Sequence, residues 1–292
     1  MNNISPDLRD HLRLGIIQTT LDEKKAWSAN LGEPKISLSE DKLAWHEIRR
    51  ALRALNDHGE KPDIIILPEL AIPRTRLEDF ERIFCSMNVM AIAGVDYRLN
   101  RRERTLQNEG LVLVPRNFWK DIPSKFANLI WFGKNVPAPG EAKGFESYSP
   151  PWGFVADNNV YVFDAGPLGR IGVSICYDFM DLERALLYRG QIHHLVVIAY
   201  NRDIKMFESL AVSLSRTLFC NVIICNTGHY GGSLVVTPFY EAPLRIGYSI
   251  NGGQTFSSQK VSVPIRGLDD AMRGGIGIVK FKSPPPGFNL HF

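Results

Sequence analysis

Arg170-Ile-Gly-Val-Ser-Ile-Cys-Tyr-Asp-Phe179 is the stretch from which the rest of the chain can be read. Its apolar residues Ile171, Val173 and Ile175 are β-branched and follow a Gly169-Arg170 turn, the pattern of a short buried strand. Cys176 then sits where the strand ends and the chain turns. A thiol at that position can face a cleft while the sheet holds its backbone.

Working outward, Leu12–Gln18 reads as a first buried strand. Residues 39–58 carry a helical stripe of Leu43, Ala44, Ile48, Ala51, Leu52 and Leu55, with Ser39 as the candidate cap and Gly59 closing it. Residues 63–67 form a second buried strand ended by Pro68-Glu69. A helix is expected near 76–87, and strands at 89–95 and 110–115. Residues 116–157, rich in Pro, Gly and aromatics, read as long loops with short helical turns. Long loops of this kind are more often functional than idle. Strands return at 160–164 and 171–175, and a helix at 180–190 leads to a strand at 195–199. A helix at 206–219 and strands at 222–226 and 233–238 complete the main run. Two further strand-like pieces, 258–265 and 275–282, lie near the end. Two helical layers covering two sheets account for this order, with an ordinary three-layer doubly wound fold as the rival.

The composition narrows the function. A chain of 292 residues with 45% hydrophobic and 22% charged residues can bury a large core. Its net charge of +3 is too small to argue for nucleic acid, and the basic cluster Arg98, Arg101, Arg102 and Arg104 reads as a solvated hairpin. The sequence shows no signal-peptide stretch and no run of membrane-spanning length. The cysteines at 85, 176, 220 and 225 lack metal-type pairing, so a cytoplasmic protein with reduced thiols is the economical reading. Cys85, Cys220 and Cys225 lie in apolar sequence and read as small buried hydrophobes. The adjacent His193 and His194 point in different directions and have no carboxylate or cysteine at ligand spacing, which argues against metal.

Two other residue types bear on Cys176. Glu69 follows a buried strand, where a partly desolvated carboxylate suits proton transfer from a thiol. On Pro-Glu alone, however, a turn cap is the better reading. Lys125, between two aromatic-rich loops, reads as a solvated lysine taken alone. Beside a nucleophile, an ammonium stabilises an oxyanion.

Taken together these pieces resemble the nitrilase, or carbon–nitrogen hydrolase, superfamily, in its amidase-like branch. The resemblance runs from about residue 12 to 240. It comprises Leu12–Gln18, Asp63–Leu70 with Glu69, Gln107-Asn108, Gly169–Asp178 with Cys176, and Cys225–Pro238. It implies a single domain over 1–292, with C-terminal strands and a tail at 241–292, folded as a four-layer α-β-β-α sandwich. It also implies a Glu-Lys-Cys triad with Cys176 as nucleophile, Glu69 as base and then acid, and Lys125 stabilising the tetrahedral intermediate. The Tyr177 amide would complete the oxyanion hole, and Glu141, with Glu146 as its rival, would orient the lysine and the substrate. Around Lys125 the sequence departs from the family pattern, so Lys120 and Lys134 compete with it. Glu183 survives from the family pattern after the cysteine and reads as structural. The implied activity is hydrolysis of a small-molecule amide or ureido bond, with acyl transfer open, no cofactor, and assembly into a homo-oligomer. Cys176-Tyr177-Asp178 is closer to amide-cleaving than to nitrile-cleaving members. A nitrilase-like binding or regulatory module and a metal-dependent phosphoesterase are the readings from other classes.

Overall fold

The computed structural model describes residues 7–57, 59–274 and 280–291. The first half supplies β1 (His11–Gln18), α1 (Glu23–Ala26), α2 (Leu38–Asp57), β2 (Ile64–Ile72), α3 (Leu77–Met87), β3 (Met90–Asn100), β4 (Thr105–Pro115), β5 (Ala127–Gly133) and α4 (Pro139–Glu146). The second half supplies β6 (Gly153–Phe154), β7 (Val162–Asp164), β8 (Arg170–Ile175), α5 (Leu182–Leu187), β9 (His194–Ala199) and α6 (Ile204–Leu214). It ends with β10 (Asn221–Asn226), β11 (Ser233–Val236), β12 (Ile246–Ile250), β13 (Ser257–Pro264) and α7 (Arg266–Met272).

The strands form two sheets, ordered β13-β1-β2-β3-β4-β5, with β6 beside β4, and β12-β11-β10-β9-β8-β7. Each is built on three parallel strands, β1-β2-β3 and β8-β9-β10, flanked by antiparallel ones. Period-two alternation sorts β2 between layers. Ile64 and Ile66 enter the core between the sheets, with Leu14, Ile92, Val173 and Val197. Ile65 and Leu67 pack on the other side with Ile48 and Leu52 of α2 and Phe80 and Phe84 of α3. On the second sheet, α6 brings Phe207, Ala211 and Leu214 into the core. Helix, sheet, sheet and helix thus stack in the four layers expected. Cys225 marks the seam, its thiol 3.2 and 3.5 Å from the carbonyls of Ile17 and Ile66 on the facing sheet.

The helical stripe of α2 is buried at Ala44, Ile48, Ala51, Leu52 and Leu55, whereas Leu43 is exposed. Ser37, not Ser39, caps the helix: its hydroxyl accepts from Glu40 N. The basic cluster is a hairpin turn, Arg101–Arg104, between β3 and β4. His193 and His194 are both buried and committed to structure. His193 meets Asp269 at 3.2 Å, and the His194 ring meets the Leu168 carbonyl and the Asn221 side chain.

The segment 116–157 departs most from expectation. It holds a full strand, β5, and the helix α4. β5 is an edge strand exposed along much of its length, so it lacks the buried apolar run that marks β2 or β8. In α4, Gly140 and Gly144 dilute the helical signal. The helix expected at 180–190 is present but shorter, as α5, and a tight turn, Cys176–Met180, leads into it. Of the strand-like piece 275–282, residues 275–279 lie outside the described residues, and Phe281 bridges Phe239. Among the described residues no helix is long and apolar enough to cross a membrane.

The pairing of β2 with β3 slips between Leu67 and Ile72, and within that bulge Leu70 takes a φ of 58°. Gly94 of β3 faces the bulge so closely that a Cβ there would overlap Glu69 Cα, Leu70 N and Pro68 O. All three obstacles belong to backbone. Gly94→Ala is therefore expected to cost about 2 kcal/mol or more, the upper range for overpacking. Urea unfolding checks this, and a loss below about 0.5 kcal/mol would show that the bulge adapts.

Candidate active site

The three parallel strands of the second sheet end side by side at Cys176 after β8, Tyr200 after β9 and Asn226 in β10. Glu69, in the β2 bulge, reaches them from the first sheet: its Oε2 accepts from Tyr200 N at 2.8 Å. Cys176 has a φ of 47°, a left-handed conformation rare for a residue with a Cβ. That turn swings its thiol off the strand and against the Glu69 carboxylate and the Tyr200 amide. Tyr177 follows in the first turn, where backbone amides have no intrahelical acceptor.

The cation beside Glu69 is Lys134. Its ammonium lies 2.8 Å from Glu69 Oε1 and 2.6 Å from Glu141 Oε2, and the side chain is 1% exposed. Lys125, the lysine expected here, is exposed in the turn before β5, and Lys120 is exposed as well. The correction has a simple physical source. Lys134 is the first residue after β5, so it stands at a strand end just as Glu69 and Cys176 do, but β5 was not recognised as a strand. Glu141 occupies the expected place, whereas Glu146 and Glu183 are exposed.

Glu141 has all its acceptor positions filled. Oε1 accepts from Asn108 Nδ2 and the Tyr97 hydroxyl, both at 2.9 Å. Oε2 accepts from Lys134 and from Ala138 N at 3.1 Å, the latter fixing the carboxylate to the first turn of α4. Asn108 Nδ2 also donates to Glu69 Oε1 at 2.8 Å, so one amide joins both carboxylates. Asp178 ties the cysteine turn to the lysine: its carboxylate accepts from Asn135 N at 2.7 Å and Val136 N at 2.9 Å. Tyr97, Tyr200 and this job of Asp178 carry no signal in the sequence, and Lys134 stands there only as a rival of Lys125. They become visible only once the strand ends converge.

Charge follows from this geometry. Burial alone would lower the Lys134 ammonium, but the Glu141 and Glu69 carboxylates outweigh it and hold its pKa well above a lysine's usual value. Burial would raise Glu141, but Lys134 and the donated hydrogen bonds keep it below the ordinary range. Burial, and then the Glu69 charge, push the Cys176 thiol well above its usual range, with Lys134 pulling the other way. At neutral pH the sulfur carries its proton, since a thiolate would add a third negative charge to a cluster with one cation. Above it opens a cavity of about 780 Å³, lined by Glu69, Lys134, Glu141, Cys176 and Tyr177 at its reactive end. None of residues 118–132 lines it.

Neither a protein-family model nor a curated protein matches the sequence. Solved structures do match. Nit3 of Saccharomyces cerevisiae, a member of branch 10 of the nitrilase superfamily, is similar over 92% of this chain and 96% of its own, with a TM-score of 0.61 and 15% identity. The chain has the nitrilase-type fold. A double mutant of the amidase from Nesterenkonia sp. AN1, in complex with acrylamide, is similar over 89% of this chain and 94% of its own, with a TM-score of 0.62 and 13% identity. XC1258 from Xanthomonas campestris, a CN-hydrolase superfamily protein with an arsenic adduct in its active site, is similar over 96% and 100%, with a TM-score of 0.61 and 12% identity.

Removing Lys134 leaves two buried carboxylates without their cation. Lys134→Met is expected to lose on the order of 3–5 kcal/mol at pH 7, as when one partner of a buried pair is deleted. Glu141, whose pKa is depressed in the fold, contributes stability above its ordinary value of 4.5 that is lost as pH falls through its folded value. The gap between wild type and Lys134→Met therefore begins to shrink as pH falls below 4.5 and goes on shrinking down to the folded value. Urea titrations at pH 7 and pH 4 measure it, with exposed Lys125→Ala expected within about 0.5 kcal/mol of wild type. A gap independent of pH would contradict the charge assignment.

Proposed function

We propose that the protein is a cysteine-dependent hydrolase of non-peptide carbon–nitrogen bonds, amide or ureido, of the amidase-like branch of the nitrilase superfamily. The observation that carries this reading is the Lys134 ammonium held between Glu69 and Glu141 beside the Cys176 thiol at the floor of a cavity. The fold alone hosts many activities, so the weight rests on the site.

The protonated thiol needs a base at the moment of attack, and Glu69 is in contact with it. As Sγ bonds to the substrate carbonyl carbon, Glu69 takes the thiol proton. The developing oxyanion is met by the Lys134 ammonium and the Tyr177 amide. Glu69 then passes its proton to the leaving nitrogen, the carbon–nitrogen bond breaks, and ammonia or an amine departs from a thioester on Cys176. Water, deprotonated by Glu69, attacks the thioester, and the acid leaves as the proton returns to sulfur. Glu141 keeps Lys134 charged and in place. The neighbours are consistent with this chemistry: the acetamide moiety of fluoroacetamide adds covalently to the active-site cysteine of a Nesterenkonia amidase mutant. Cys176-Tyr177-Asp178 favours amide over nitrile substrates.

In a panel of primary amides, Cys176→Ala should abolish ammonia release and Lys134→Ala should lower kcat/KM by several orders of magnitude, with Lys125→Ala near wild type. Iodoacetamide, itself an amide, should label Cys176 at pH 7 far faster than the buried Cys85, Cys220 and Cys225. Full activity in Cys176→Ala would overturn the assignment, and equally slow labelling of all four thiols would favour the binding-module reading.

A further inference from the structure

The cavity above Cys176 is far larger than a simple amide needs. Its volume of about 780 Å³ is in the range that encloses drug-sized ligands. Trp27, Tyr97, Tyr148 and Tyr200 all line it. Trp27 meets Tyr97 and Tyr200 edge to face, with ring centroids 6.0 and 5.9 Å apart, so the three rings form one continuous surface.

The polar tips of these rings are committed elsewhere. Trp27 Nε1 donates to Asp96 at 2.8 Å, and the Tyr97 hydroxyl to Glu141 at 2.9 Å. The Tyr148 hydroxyl donates to the Trp27 carbonyl at 2.7 Å, and the Tyr200 hydroxyl to the Leu21 carbonyl at 2.5 Å. With their donors spent, these residues offer a ligand mainly apolar ring surface. Helix α4 adds width: Gly140 and Gly144, one turn apart, both line the cavity, and a Cβ on either would meet nothing within 4 Å. The charged groups at the reactive end are occupied with one another; of the other charged lining residues, Arg202 is turned toward Glu23 at 3.5 Å, Asp203 accepts from Met206 N, and Lys24 is the remaining cation.

We propose that the substrate is an amide carrying an aromatic, or comparably broad apolar, group next to the scissile bond, held against the Trp27–tyrosine wall in the space the α4 glycines leave open. This rests on the hydrolase reading above and adds no reactant: water and the amide give an acid and an amine. The apolar group belongs to the acyl part or to the leaving nitrogen. The recognition chemistry is the same, and the released product distinguishes them.

The test compares acetamide, 3-phenylpropanamide and N-phenylacetamide on wild type and on Gly144→Leu, with ammonia or aniline as the readout. At least one phenyl-bearing amide should exceed acetamide in kcat/KM by about 10- to 100-fold, the gain from burying a ring-sized apolar group. Gly144→Leu, which sets a side chain in open cavity on a helix, should fold normally and cut that ratio about tenfold. Acetamide equal to or better than both phenyl compounds, or a ratio that Gly144→Leu leaves unchanged, overturns the proposal. Binding to Cys176→Ala separates recognition from chemistry: by calorimetry the preferred phenyl amide should bind at least tenfold more tightly than acetamide. Tight, selective binding without turnover in wild type would sink the hydrolase reading and keep the ligand class. Equal binding would sink the ligand class.

Discussion

The arrangement depends on one buried cation. Lys134 lies between Glu69 and Glu141 with almost no solvent, and each of those carboxylates would be costly to bury without it. The surroundings distribute the remaining negative charge over fixed donors: the Asn108 amide shared by both glutamates, the Tyr97 hydroxyl, and the backbone amides of Tyr200 and Ala138. A network satisfied to this degree is rigid. Its rigidity holds Glu69 against a thiol that is still protonated, the arrangement in which a base can act on demand.

The fold serves this cluster through backbone shape. Two residues of the cluster's own backbone, Leu70 beside Glu69 and Cys176 itself, are left-handed although neither is glycine. The first is accommodated because Gly94 on the neighbouring strand has no side chain. The second is closed over by Asp178, which binds the amides just after Lys134 and so couples the Cys176 turn to the cation across two sheets. The reading of Asp178 as a sign of amide chemistry and its place in this clamp rest on the same residue. Its carboxylate holds the loop carrying the cation.

Much of this was legible in the sequence where the local signal and the tertiary role coincide. The buried runs of β1, β2, β8, β9 and β10 are continuous and β-branched because both faces of those strands are covered. Cys176 stands out because it follows such a run; Glu69 also follows one, but position alone favours a turn cap there, and its role, like that of Glu141 in the loop after the lysine, comes from the resemblance. The lysine itself was misplaced for a physical reason. β5 is a half-exposed edge strand, so its apolar pattern is broken, and the residue at its end looked like any lysine in a long loop. Asn108 was noticed only as part of the resemblance; its bridging of two carboxylates could not be read from position. The aromatic wall comes from the residue after α1, from β3, from the segment after α4 and from the residue after β9, segments too far apart in sequence to suggest a shared surface.

In the proposed reaction Cys176 forms an acyl intermediate with Lys134 as its oxyanion partner. Intact-mass spectrometry of rapidly quenched enzyme and amide tests this directly. An acyl-sized mass gain on Cys176 is expected in wild type and in Lys125→Ala, and none in Cys176→Ala or Lys134→Ala. An adduct that persisted undiminished in Lys134→Ala but vanished in Lys125→Ala would contradict it.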